Sequence, residues 1–178
     1  MKRVLRSELR VSRSALVFKT SLGWIGLAAS PRGVTNVILP LRARRRAEQS
    51  RSSIGAPNSA ALAAARRQIA AFLAGSRRTL DVPLDLTVGT AFQRRVWRAA
   101  TQIPFGQVRS YRWLAGQVGG TRYARAVGNA LGANPVPLIV PCHRVVASDG
   151  SLGGFSCGLP IKRRLLALEG SLPQLGKK

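Results

Sequence analysis

Leu138-Ile139-Val140-Pro141-Cys142-His143-Arg144-Val145-Val146 runs from an apolar segment straight into a cysteine, followed by the only histidine of the 178-residue chain. A thiol is a nucleophile only as its thiolate, and an adjacent imidazole, the Arg144 guanidinium and a basic surface all favour that form. The apolar residues on the N-terminal side predict a buried strand that delivers Cys142 into a turn. The same residues also fit a plainer reading, in which Cys142 is a buried cysteine and His143 a satisfied turn residue, because free cysteine is among the most buried residue types. Only the rest of the chain separates the two.

Working outward, helical patterns dominate from Thr90 onward. Thr90 caps a helix over 91–101 with Phe92, Val96, Ala99 and Ala100 facing inward and Arg94, Arg95 and Arg98 solvated. Pro104-Phe105-Gly106 makes a turn, Ser110 caps a helix over 111–118, Gly119-Gly120-Thr121 breaks it, and 122–131 form the next. Two short helices joined by a glycine turn are a helix-turn-helix candidate, although many such pairs only pack. The second helix carries Arg125 among Ala124, Ala126, Gly128, Ala130 and Gly132. Small residues let a helix backbone approach a nucleic-acid groove, and a long arginine among them reaches into the base stack.

Asn134 and Pro135 then lead into the cysteine segment, and a glycine-rich loop over 148–158 suits close approach to a flat ligand. Pro160 opens the last helix, 161–169, with Gly170 as its stop. Ile161, Leu165 and Leu168 mark its buried stripe, and Glu169 falls on the edge of that stripe. The helix dipole opposes an acid in the last turn. A carboxylate placed against both rules suggests a partner, and a thiol-imidazole centre uses an acid to orient its histidine. The alternative is a terminal glutamate that reaches water or an arginine.

The first half reads as short strands at 15–18, 22–28 and 34–39, with a turn at Ser30-Pro31-Arg32-Gly33, making a small antiparallel sheet. Asn58-Ser59 cap a covering helix from 60 to about 74, and 80–86 is an edge strand or extended linker. The expected fold is therefore α/β of the α+β kind. It has a flexible basic arm at 1–14, a sheet-and-helix domain at 15–86, a mostly helical domain at 87–172 and a flexible tail at 173–178. The polar, arginine-rich stretch 40–57 reads as a mobile loop.

Composition narrows the function. Lys and Arg number 29 against 6 Asp and Glu, a formal net charge of +23, which points to a polyanion and most simply to nucleic acid. Host composition is the alternative source of so much arginine. Two cysteines and one histidine make neither a disulfide framework nor a zinc site, so no metal is expected. No apolar run approaches the roughly 20 residues of a membrane span, which leaves a soluble protein of the cytoplasm and nucleoid as the expectation.

With Pro141-Cys142-His143-Arg144-Val145-Val146, the preceding Asn134-Pro135-Val136-Pro137, and the span from Phe92-Gln93-Arg94-Arg95-Val96-Trp97 to Glu169-Gly170 in view, the chain resembles the O6-alkylguanine-DNA alkyltransferase family. The resemblance covers nearly the whole second half. It implies direct-reversal DNA repair, in which an alkyl group passes once from O6-alkylguanine, and in some members O4-alkylthymine, to Cys142. His143 would take the thiol proton through a water, Glu169 would hold His143, Tyr111 would donate a proton to the guanine, and Asn134 would brace the turn. Tyr123, Ala124, Arg125, Gly128 and Ala130 would meet the minor groove of double-stranded DNA, with Arg125 filling the gap left by the flipped nucleotide. Val145, Phe155, Ser156 and Cys157 would line the base pocket. No cofactor is implied, and the protein would act as a monomer.

Three positions depart from the family pattern: Tyr123 is bulkier than usual, Phe155 stands where Tyr is common, and Cys157 places a second thiol near the pocket. Two other classes fit parts of the sequence. A non-catalytic reader of alkylated DNA would have no use for Cys142, and a Cys-His hydrolase would not place the two residues side by side.

Overall fold

Ser14–Thr20 (β1), Gly23–Ser30 (β2) and Gly33–Leu41 (β3) form an antiparallel sheet in the order β1-β2-β3. Ser21-Leu22 and Pro31-Arg32 make the two turns, and Thr20 closes the first by donating from Oγ1 to the Gly23 carbonyl at 2.8 Å. All three strands run longer than their apolar letters indicate, and β1 and β3 also begin one residue earlier. Ser14 belongs to β1, and Pro40 and Leu41 belong to β3. Backbone pairing carries a strand past its last apolar residue, which a hydropathy pattern cannot register.

The computed structural model describes residues 14–41 and 60–172, and the chain divides into two compact units between Leu86 and Thr87. The expected arm up to Arg13, the expected mobile loop from 42 onward, the Asn58-Ser59 cap and the tail at 173–178 lie outside the described residues. In the first unit Ala60–Leu73 (α1) buries Leu62, Ala65, Ile69, Phe72 and Leu73. That helical spacing lays one stripe of α1 on the sheet. Residues 80–86 make a single parallel bridge, Leu84 to Val34, rather than a strand. Pro83 has no amide hydrogen to donate, and its carbonyl accepts from Val34 N at 2.8 Å.

In the second unit Ala91–Thr101 (α2) starts at a capping box. Gln93 N donates to Thr90 Oγ1 at 3.2 Å, and Thr90 N donates back to Gln93 Oε1 at 2.8 Å. The inward face differs from the expected one. Trp97 and Val96 are buried with Ala100, whereas Phe92 and Ala99 are only half-buried. Trp97 Nε1 donates at 2.8 Å to the Ala130 carbonyl, which pins α2 to the helix that carries Arg125.

Arg109–Ser110 (β4) leads into Tyr111–Gln117 (α3), capped by Ser110 Oγ, which accepts from Trp113 N at 3.0 Å. The second helix of the pair begins later than expected: Thr121–Tyr123 is a 3-10 turn, and Ala124–Gly132 (α4) follows. Gly119 and Gly120, at φ 137° and 135°, supply the connection.

The cysteine segment is the largest local departure. Residues 135–140 form no strand but a buried turn, in which Val140 N donates to the Val136 carbonyl at 3.0 Å and Leu138 adopts φ 76°. Pro135, Pro137 and Pro141 remove the amide donors that a ladder needs. Cys142–Arg144 is a 3-10 turn, and Val145–Val146 (β5) pairs in parallel with β4. Leu159–Leu168 (α5) closes the unit, two residues ahead of the expected start, with Glu169 as its C-cap.

Trp97→Phe removes both the donor to the buried Ala130 carbonyl and part of a fully buried ring. We expect unfolding by urea at a free energy lower by at least about 1–3 kcal/mol; an unchanged denaturation midpoint would show that Trp97 does not hold α2 to α4.

Candidate active site

The 3-10 turn buries Cys142, His143 and Arg144 together. Asn134 braces it from the end of α4: its Nδ2 donates at 3.1 Å to the Val140 carbonyl and at 3.1 Å to Cys142 Sγ, while its Oδ1 accepts from Val136 N at 3.0 Å. An amide has enough donors and acceptors to do all three. Burial pushes the Cys142 thiol up to about 11, and the Asn134 bond works the other way. The resting sulfur is therefore a protonated thiol, not the thiolate that its basic neighbours suggest.

One of those neighbours is already committed. Arg144 Nε donates to Glu169 Oε2 at 2.9 Å, its Nη2 donates to Glu169 Oε1 at 3.0 Å, and its Nη1 donates to the Ile103 carbonyl at 2.7 Å. Glu169 also binds His143, with Nε2 to Oε1 at 2.8 Å, and accepts from Gly106 N at 3.1 Å. Burial opposes ionisation of this carboxyl, and the bonds and charges of His143 and Arg144 outweigh it, so its pKa lies below the ordinary value. Glu169 thus reaches both of the partners considered for it, the histidine and an arginine.

Burial lowers the His143 pKa, against the pull of Glu169, so the imidazole is neutral near pH 7. With Glu169 ionised, Nε2 carries the proton and donates it. Nδ1 then presents a lone pair, and it is buried without a hydrogen-bond partner.

A cavity of about 460 Å³ opens onto Cys142, lined by Tyr111 from α3, by Ala124, Arg125, Gly128, Asn129, Leu131 and Gly132 from α4, and by Gly154, Phe155 and Ser156 from the loop. Tyr111 donates from its hydroxyl to the Gly154 carbonyl at 3.1 Å. Burial raises the phenol pKa, and a negative charge developing on Cys142 raises it further, so it keeps its proton. A methylene at Gly153 (φ 62°) would lie 2.8 Å from the Tyr111 ring, so the loop packs on Tyr111 only as glycine.

A family model described as the DNA-binding domain of 6-O-methylguanine DNA methyltransferase matches residues 91–171. A methylated-DNA–protein-cysteine methyltransferase of Methanosarcina acetivorans is 39% identical over 155 residues, which span 87% of this chain and 97% of that protein. The chain belongs to the methylated-DNA–protein-cysteine methyltransferase family. The methyltransferase of the same name from Mycolicibacterium paratuberculosis is 50% identical over 112 residues, 63% of this chain and 67% of its own. Among solved structures, Mycobacterium tuberculosis OGT in complex with DNA superposes with a TM-score of 0.76 at 40% identity, covering 89% of this chain and 94% of that one.

In this methyltransferase the cavity gathers Cys142, Tyr111, Ala124, Arg125, Gly128, Phe155 and Ser156. His143, Glu169 and Asn134 stand behind Cys142, in the buried layer. Four residues named from the sequence fall elsewhere. Val145 is fully buried in β5, and Ala130 is turned to the core, where its carbonyl receives Trp97. Neither side chain reaches the cavity, because strand and helix periodicity face them inward. Tyr123 lies on the 3-10 turn, half-exposed, edge-on to Phe92 at 6.4 Å and bonded through its hydroxyl to Arg122. Cys157 is a free, partly buried thiol just past the loop residues that line the cavity.

Asn129, Leu131 and Lys162 are not among the residues that the sequence singles out, and Gly153 and Gly154 are there only as part of the glycine-rich loop. Lys162 left a signal, because it sits at i, i+3, i+4 and i+7 with Leu165, Leu166 and Glu169, the stripe that α5 buries. Ile161 and Leu168, the expected ends of the stripe, are only half-buried.

Glu169→Gln keeps the shape and removes the charge, leaving Arg144 buried without a counter-ion. We expect a loss of about 3–5 kcal/mol in unfolding free energy; a loss below about 1 kcal/mol would show that the pair is not coupled. The lone histidine permits a second test by imidazole NMR. Its folded-state pKa is depressed, so the unfolded chain binds more protons and the stability due to His143 is lost as pH falls below 6.5. The expected spectrum at pH 7 is the neutral Nε2–H tautomer, and an imidazolium there would contradict the assignment.

Proposed function

We propose that Cys142 is the alkyl acceptor of this methyltransferase and that O6-alkylguanine in double-stranded DNA is its substrate. The observation that carries the reading is the exposure of one buried sulfur, held by Asn134, at the foot of a cavity whose rim is the small-residue helix α4. The exocyclic substituent of a stacked base is out of reach, so the nucleotide must leave the duplex. Ala124 and Gly128 allow α4 to approach the minor groove, and the exposed Arg125 occupies the space vacated in the stack. Phe155 and Ser156 then bound the flipped base.

The thiol proton passes through a water to Nδ1 of His143, whose imidazolium the Glu169 carboxylate stabilises. Sulfur attacks the alkyl carbon, the S–C bond forms, and the C–O6 bond breaks with its electron pair left on guanine. Tyr111 supplies a proton to the departing base and is reprotonated from solvent, to which the His143 imidazolium returns the proton taken from sulfur, so one proton lost at sulfur balances one gained by guanine. The product is a thioether, which has no acyl carbon for water to attack, and each molecule therefore acts once. O4-alkylthymine presents the same alkyl-oxygen bond and is the second substrate of this reading. In this reading the protein acts as a monomer, on DNA of the cytoplasmic nucleoid.

Duplex DNA carrying labelled O6-methylguanine, added in excess, should transfer label to a plateau of one methyl group per protein. Cys142→Ser should retain DNA binding within about twofold and transfer nothing; transfer by this variant, or turnover beyond the plateau, would overturn the reading. Binding should weaken steeply with salt because it rests on phosphate contacts. Arg125→Ala should slow transfer about tenfold or more, a barrier higher by at least about 1.4 kcal/mol because the cost of unstacking is no longer fully offset.

A further inference from the structure

Lys162 takes no part in these steps, yet it is fully buried on the inner face of α5. Its Nζ donates to the carbonyls of Val145 at 2.6 Å, Leu152 at 2.5 Å and Gly154 at 3.1 Å, and none of these partners is a carboxylate. Three donated bonds use all three hydrogens of an ammonium, so the geometry calls for the charged form. Arg144, the buried arginine among the described residues, is neutralised by Glu169. A buried lysine without a counter-ion is costly, and an apolar side chain of similar length would fill the space more cheaply.

We infer that the buried Lys162 ammonium is a positioning residue for alkyl transfer, fixing the 152–154 wall of the cavity against Tyr111 and setting a positive charge where negative charge develops on Cys142. Three arrangements support this. The Gly154 carbonyl is shared between Lys162 Nζ and the Tyr111 hydroxyl. The ammonium also lies 5.9 Å from the centre of the Tyr111 ring. Val145, whose carbonyl anchors it, directly follows the turn that carries Cys142. Burial draws the Lys162 pKa down to about 8 while Cys142 pulls it up, and Lys162 in turn pulls the Cys142 thiol down against burial. The titratable groups that meet this charge are Tyr111 on α3 and Cys142 and His143 on the turn. The ammonium neither gives nor takes a proton in the transfer. The inference rests on Cys142 being the alkyl acceptor.

The thiol can be read without DNA, through its reaction with iodoacetamide followed at peptide level so that Cys157 is counted apart. In the native protein the logarithm of the Cys142 rate should climb with pH at unit slope, flatten as Lys162 loses its charge near pH 8, and then resume. Lys162→Met should abolish the flattening, slow the reaction at pH 7 by about tenfold or more, and slow methyl transfer at saturating DNA in parallel. Its DNA binding should stay within about twofold. Lys162→Arg, which keeps the charge, should restore part of the thiol reactivity.

An unbroken unit slope in the native protein would overturn the inference even if Lys162→Met did not fold. So would a folded Lys162→Met whose thiol profile is native, since a prop for the loop would leave the sulfur's titration alone. Native protein that shows the flattening but transfers no methyl group would instead overturn the acceptor reading, and with it the role in transfer.

Discussion

The Glu169 carboxylate is bonded at once to His143, Arg144 and the backbone of Gly106. It ties the end of α5 to the cysteine turn and to the turn after α2, so the geometry around Cys142 depends on a single buried negative charge. A carboxylate at a helix C-terminus is opposed by the dipole, and burial adds to the cost. The guanidinium of Arg144, in forked contact with both oxygens, offsets both penalties. His143 is left neutral, with one ring nitrogen fixed by Glu169 and the other free to take a proton.

This arrangement explains how a buried thiol serves as a one-use nucleophile. A sulfur held as a thiol by burial is shielded from incidental alkylation and oxidation. Its proton must leave before it attacks, and the free Nδ1 lone pair of His143 is the acceptor on the protein side. Asn134, donating to Sγ at 3.1 Å, stabilises the developing negative charge at no reorganisation cost. The positive charge comes from Lys162 and not from Arg144, whose guanidinium is committed to Glu169.

The chemistry was more legible in the sequence than the local backbone. Glu169 stands out because it breaks two helix rules, and Arg125 because it is the main long polar side chain among small residues. Both patterns are local, so one chain suffices to see them. The cysteine segment was misread because an apolar run looks the same whether it is a strand or a buried turn, and only its three prolines argued for the turn. Lys162 was missed because a lysine is read as solvated by default. Its partners are three carbonyls from distant positions, which no sequence pattern displays. Val145 and Ala130 were assigned to surfaces they do not reach, because a motif gives neighbours in sequence and not the direction of a side chain.

The most direct measurement of the central claim is peptide mass spectrometry of the protein after reaction with a stoichiometric duplex bearing one O6-methylguanine. The account requires a single added methyl group, on the peptide containing Cys142, with Cys157 unmodified and the DNA restored to guanine. Repaired DNA with Cys142 unmodified, or methylation at Cys157 instead, would contradict it.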